Sequence, residues 1–236
     1  MTMADSEIGP ALAVFLSRMA GGYAIVLGLF GPSVDKGSWR DVSLFVIAGL
    51  SALALAAGAP WIPCAATGVG ALVLQRAIAY KVPGLSSTLW LAPLGAALIA
   101  WTEWPPPWTA FPGAVAAGGT AGAMLLGHSY LTARGLSFAP FKRMAYLLFG
   151  LLVLRTLSVA PAFLGVQLQM MDWVFLSLRV GLGLMVPLLL GWMVIQCVKI
   201  ESNQSATGIL YAMTVLVCLF GELIAAYLSV GRGIPA

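Results

Sequence analysis

The 236 residues are 61% hydrophobic and only 8% charged, where an ordinary soluble domain carries roughly a quarter charged residues. A soluble globule of this size would lack the polar side chains to cover its surface, so the composition excludes a water-soluble fold and predicts an all-α polytopic membrane helix bundle with lipid as its outer solvent. Twelve Lys and Arg against eight Asp and Glu leave a net charge of +4, but the basic residues are scattered between apolar runs and form no patch for nucleic acid.

The start, Met1 to Pro10, carries Asp5 and Glu7 in place of the basic region of a secretory signal, and no small-residue cleavage pattern follows. The first apolar run is therefore expected to stay as a helix. Crossing about 30 Å of hydrocarbon takes roughly 20 apolar residues. Runs near that length lie at 11–30, 42–58, 62–80, 86–101, 109–131, 144–164, 173–198 and 207–230. The fourth is the shortest, and together the eight form one transmembrane domain over 1–236. Gly31-Pro32, Ala59-Pro60 with Pro63, Pro83-Gly84, Pro105-Pro106-Pro107 and Ala139-Pro140 fall between the runs, where helix-ending residues belong. Short connections make sequence neighbours antiparallel hairpins.

Short cytoplasmic loops are enriched in Lys and Arg, which gives an orientation. One side holds Lys36, Arg40, Arg76, Lys81, Arg134, Lys142, Arg143 and Lys199, and the other only Arg232. Eight spans with the N- and C-termini both on the non-cytoplasmic side satisfy that bias, and removing the fourth from the membrane breaks it. So clean a bias suggests a bacterial plasma membrane. Trp39, Trp61, Trp101, Trp104, Trp108 and Trp173 sit at run ends, as interfacial anchors do.

Within the runs, Gly118, Gly119, Gly122 and Ala123 have the small-residue spacing that permits close helix contact. Pro187, near Gly181, Gly183 and Gly191, predicts a kink or freed carbonyls in the seventh run. The first four runs are rich in Ala and Gly, the last four hold most of the embedded polar residues, and no internal repeat is evident.

Ionisable groups inside a membrane cost about 2.5 kcal/mol or more, so each needs a partner, a water cavity or a task. Four stand out: Arg18, Arg155, Arg179 and Glu222. The orientation places all four between the membrane middle and the outer face. One reading pairs Glu222 with one arginine and lets the others reach the head groups or cap helix ends, which suits Arg18 and Arg179, each near the end of its run. The other reads three arginines against one glutamate as surplus positive charge aimed at an anionic or carbonyl-bearing ligand, such as a quinone head group, a lipid phosphate or haem propionates. Arg155, about halfway along its run, is the hardest to explain by reaching outward. Glu222 follows Gly221 and lies four residues after Cys218 and eleven after Tyr211, so these share one helical face, where a carboxyl could relay protons.

At the cytoplasmic end of the fifth run, His128, Tyr130, Arg134, Lys142 and Arg143 form the richest polar stretch. They read either as the positive-inside signal with an interfacial His or as a contact for an anion or partner subunit. His128 is the one histidine in the chain, so a bis-His haem held by this chain alone is excluded. Cys64, Cys197 and Cys218 lie far apart without CxxC spacing, so no metal site is expected. Asn203-Gln204-Ser205 matches a glycosylation acceptor but falls on the cytoplasmic side.

Two functions follow from these residues. The first is an integral membrane subunit of a multi-subunit respiratory or redox complex that binds a quinone or lipid, with other membrane or peripheral subunits as partners. In helix count and orientation the chain is similar to the eight-helix anchor subunits of bacterial molybdopterin oxidoreductases, a likeness of architecture without a shared motif. The second is a small transporter or channel for an anionic or proton-coupled solute. An enzyme acting on lipid phosphate ranks last, because Glu222 stands nearly alone in the membrane and Asp172 and Glu103 are isolated in short loops.

Overall fold

In hydrocarbon every backbone N–H and C=O must be satisfied within its own segment, which leaves the helix as the solution for each apolar run. The computed structural model describes residues 3–31, 39–82, 87–102, 110–132, 136–159 and 169–234. Among these, all regular structure is helical. The helices are α1 (Met3–Phe30), α2 (Trp39–Ala56), α3 (Trp61–Ala79), α4 (Leu91–Thr102, entered by a 3₁₀ turn over Thr88–Trp90), α5 (Ala110–Thr132), α6 (Ala139–Val159), α7 (Met170–Lys199) and α8 (Asn203–Arg232).

Six of them, α1, α2, α3, α5, α7 and α8, are long and apolar enough to cross a membrane. The fourth segment is the short one: α4 has 12 residues, about 18 Å at 1.5 Å per residue. The sixth run was expected at 144–164, but α6 spans Ala139–Val159. Pro140 does not separate two runs; it sits in the first turn, where its missing N–H has no partner to lose. The first helix also begins earlier than expected, at Met3, and continues through Pro10. Extending a helix is cheap once the buried part has nucleated it.

The helices close into two rings. In the first, α1 packs on α2 and α4, and α3 bridges α2 to α4; in the second, α5 packs on α6 and α8, and α7 bridges α6 to α8. The second ring thus repeats the neighbour pattern of the first, a repetition that the sequence does not display. The rings meet along α1 and α5, the two helices with the largest buried share. That contact depends on small residues. A Cβ on Gly22 would lie 1.8 Å from the Ala114 carbonyl oxygen, and one on Gly118 would lie 2.1 Å from the Tyr23 nitrogen, so only glycine permits this approach.

Outward faces are apolar. Trp61, Phe45, Leu157, Leu189 and Trp192 are all exposed, a surface suited to lipid and not to water. Trp61, Trp101 and Trp173 stand exposed near helix ends as anchors should. Trp39 does not: it is buried at the start of α2 and donates its indole N–H to the Gly122 carbonyl at 3.1 Å, so it serves the core and not the interface. Trp104 and Trp108 lie outside the described residues.

Candidate functional site

Burial places every one of the four embedded charges in the bundle interior. Arg18, Arg155, Arg179 and Glu222 are each at most 1% exposed. The expectation that Arg18 and Arg179 reach the head groups is therefore overturned. The reason is helix length: α1 starts eight residues earlier than expected, so Arg18 falls near its middle, and Arg179 lies a third of the way along the 30-residue α7. Arg155, conversely, is four residues from the end of α6 rather than at its centre.

The centre of the site is a two-point pair. The Arg155 Nε–H donates to Glu222 Oε1 at 2.7 Å and its Nη2–H to Oε2 at 3.0 Å, the parallel geometry that matches a planar guanidinium to a carboxylate. Ser158 braces Arg155 by donating its hydroxyl to the Arg155 carbonyl at 2.7 Å. From α1, Arg18 Nη1 approaches Glu222 Oε2 to 3.6 Å. The space for this pair comes from α5: a Cβ on Gly113 would lie 2.3 Å from Glu222 Oε2 and 2.9 Å from Arg155 Cζ. Both carboxylate oxygens are thus committed as acceptors, and Glu222 is held as a counter-ion and not as a free proton carrier.

Arg179 is different. It lies within electrostatic reach of Arg155, Glu222 and Arg18, yet its Nε, Nη1 and Nη2 all lack a hydrogen-bond partner among the described residues. A guanidinium carries five N–H donors and stays charged. The cluster therefore sets three guanidiniums against one carboxylate, with the surplus donors on Arg179.

The helices that carry Arg179 and Glu222 both change winding here. α7 has a π-turn over Gly181–Met185, and α8 has one over Leu216–Leu223. The two turns touch: a Cβ on Gly183 would lie 2.5 Å from Gly221 Cα. Pro187 follows the first π-turn, where its missing N–H makes regular α-winding impossible to complete, so the expected kink takes the form of this turn. The second π-turn corrects another expectation. Eleven α-helical residues would bring Tyr211 within about 20° of the face of Glu222, but the wider turn shifts the register. Cys218 and Gly221 stay buried with Glu222, while Tyr211 is 41% exposed.

Asp172 was expected in an outer loop. Instead it is buried in the first turn of α7, where it accepts from the Gln169 N–H at 3.0 Å and pairs with Nε of the partly exposed Arg232 at 3.3 Å. The pair fastens the start of α7 to the end of α8.

The second group of candidate residues does not converge. His128 is exposed and its Nδ1 bonds the Tyr211 hydroxyl at 3.0 Å. Tyr130 donates its hydroxyl to the Ser137 carbonyl and stacks on Phe141 with ring centroids 5.2 Å apart, which ties α5 to the start of α6. Lys142 and Arg143 are exposed on the first turn of α6, and Arg134 lies outside the described residues. Among the described residues no three His, Cys, Asp or Glu side chains come together as metal ligands.

Gly113 and the Asp172–Arg232 pair were not singled out by the sequence, and Gly183 was read only as part of the Pro187 kink. Glycine is frequent here, with 27 in the chain, so nothing marks Gly113 as the one that clears space for the ion pair. Comparison with known proteins gives no match: no family model, no characterised protein and no solved structure matches the chain.

Proposed function

We propose that this membrane bundle is a subunit that holds a quinone or lipid head group in its interior, within a multi-subunit redox assembly of a bacterial plasma membrane. The observation that carries the reading is the fully buried Arg179 guanidinium with no hydrogen-bond acceptor among the described residues. A buried cation without a partner costs several kcal/mol; a carbonyl, carboxylate or phosphate oxygen of a ligand offsets that cost and takes up the N–H donors. Arg155, Glu222 and Arg18 then act as the frame that fixes the position of Arg179 and keeps the local charge positive.

The test is gentle purification of the full chain followed by an absorption spectrum, extraction of quinones and lipids, and identification of any attached subunits. A stoichiometric quinone or phospholipid, retained by the wild type and lost from Arg179→Gln, is the expected result. A protein free of quinone, tightly held lipid and partners would contradict the reading.

A second reading, transport of an anion, is favoured by the two π-turns in contact at Gly183 and Gly221, since such turns are rare and cluster at functional sites. Movement at this joint would separate Arg179 from Glu222. Liposomes containing the protein then take up a test anion, and Glu222→Gln abolishes uptake; under the first reading neither protein supports it.

A further inference from the structure

An apolar groove of about 320 Å³ runs between α1, α7 and α8, lined by Ile8, Leu12, Phe175, Leu223, Ile224 and Tyr227. The same three helices supply Arg18, Arg179 and Glu222. Leu223 directly follows Glu222, Phe175 precedes Arg179 by one helical turn, and Leu12 precedes Arg18 by six residues. The groove therefore occupies the stretch between the buried charges and the end of the bundle fastened by Asp172 and Arg232. It opens sideways, since Ile8 and Leu12 are exposed while Phe175 and Tyr227, with ring centroids 5.3 Å apart, are half-buried along it.

Its lining exposes no polar surface, so it suits a hydrocarbon chain and not water or a free inorganic ion. Two other grooves among the described residues lack this neighbourhood. One, of about 430 Å³ between α6 and α7, is lined by the outward-facing Val153, Met185, Leu189 and Trp192. Another, at the α2–α3 end near Asp41 and Arg76, is on the opposite ring from Arg179.

We infer that the ligand of Arg179 is a single-chain amphiphile, its acidic or carbonyl head group on the guanidinium and its hydrocarbon chain lying in the groove between α1, α7 and α8, entered sideways from the lipid. This rests on the head-group reading above, and adds to it the chain, its location and its route. Arg179 lies one helical turn inward of Phe175, buried behind the apolar lining, so the head group reaches it as the wall between α1, α7 and α8 parts. A charge without a hydrogen-bond partner among the described residues beside a purely apolar groove suits such a molecule and not a soluble anion.

The experiment uses the full chain in lipid nanodiscs, with partitioning corrected by empty discs, and four probes: dodecyl phosphate, ethyl phosphate, a decyl-substituted benzoquinone and a methyl-substituted benzoquinone. Whichever head group binds distinguishes a lipid phosphate from a quinone. For that head group the long-chain probe binds at least about tenfold tighter than the short one, the worth of burying roughly two methylenes. Leu12→Trp and Ile224→Trp fill the groove from two helices and remove most of that advantage while short-chain affinity is unchanged. Each is checked by its melting profile, so either can carry the test if the other misfolds.

An undiminished chain-length advantage in both variants, or equal affinity of long and short probes for the wild type, overturns the groove and leaves the head-group site standing. Wild-type affinities in Arg179→Gln overturn the head-group site itself. A wild type that binds none of the four probes overturns both.

Discussion

At one end of the bundle four ionisable side chains are buried to 1% exposure or less; at the other, His128, Lys142 and Arg143 sit at the surface, where water or head groups complete their hydrogen bonds. The two ends carry the same kinds of residue and differ in what must satisfy them. Exposed charges cost little and contribute little. Buried ones must be matched group by group, and the buried end is matched for Arg155 and left open at Arg179. That contrast, more than the number of charges, separates a topology signal from a candidate binding site.

The largest effect that would break this comparison is removal of the counter-ion. Glu222→Gln leaves the buried guanidiniums without their carboxylate, and is expected to cost about 3–5 kcal/mol. By thermal melting this is a drop on the order of 10 °C for a chain of this size. A double-mutant cycle with Arg155→Met should show coupling above about 1 kcal/mol, because the two residues share two hydrogen bonds. Independent effects would mean the pair is not formed.

Next comes the clearance on α5. Gly113→Ala places a methyl 2.3 Å from Glu222 Oε2, and overpacking of this kind costs about 1–3 kcal/mol. The same change at Gly208, where nothing lies within 4 Å, should be neutral or slightly stabilising on helix propensity alone. Equal effects at the two sites would argue against close packing at the pair.

Arg179→Met sharpens the comparison by its sign. Deleting an orphan buried charge in favour of an apolar side chain should leave the melting point of ligand-free protein unchanged or higher. A large destabilisation would show that Arg179 has a structural partner after all. The smallest effect is expected at the exposed end: Lys142→Ala with Arg143→Ala should shift stability by no more than about 0.5 kcal/mol, a change measurable by denaturation in matched detergent.

Much of the fold was legible because composition leaves so few options. Each apolar run became a helix, the short fourth segment was short, and the Gly118 region packed closely as its spacing indicated. Depth was not legible. The ends of α1 and α6 moved because polar residues before Pro10 extend the first helix and Pro140 begins the sixth, and those shifts reversed which arginine lies mid-helix. The four charges singled out in the sequence are all buried in the structure, but their division of labour was not legible, since nothing in one sequence says which guanidinium meets Glu222. π-turns are likewise silent in sequence, and the one in α8 is what turns Tyr211 away from the site. Gly113 could be valued only after the pair it clears was seen.

The most direct measurement is native mass spectrometry of the full chain released from lipid nanodiscs. Wild-type protein should carry one retained molecule of quinone or lipid mass, kept in the Lys142→Ala, Arg143→Ala variant and lost in Arg179→Gln. Identical adducts in wild type and Arg179→Gln would contradict the assignment of Arg179 as the group that holds the ligand.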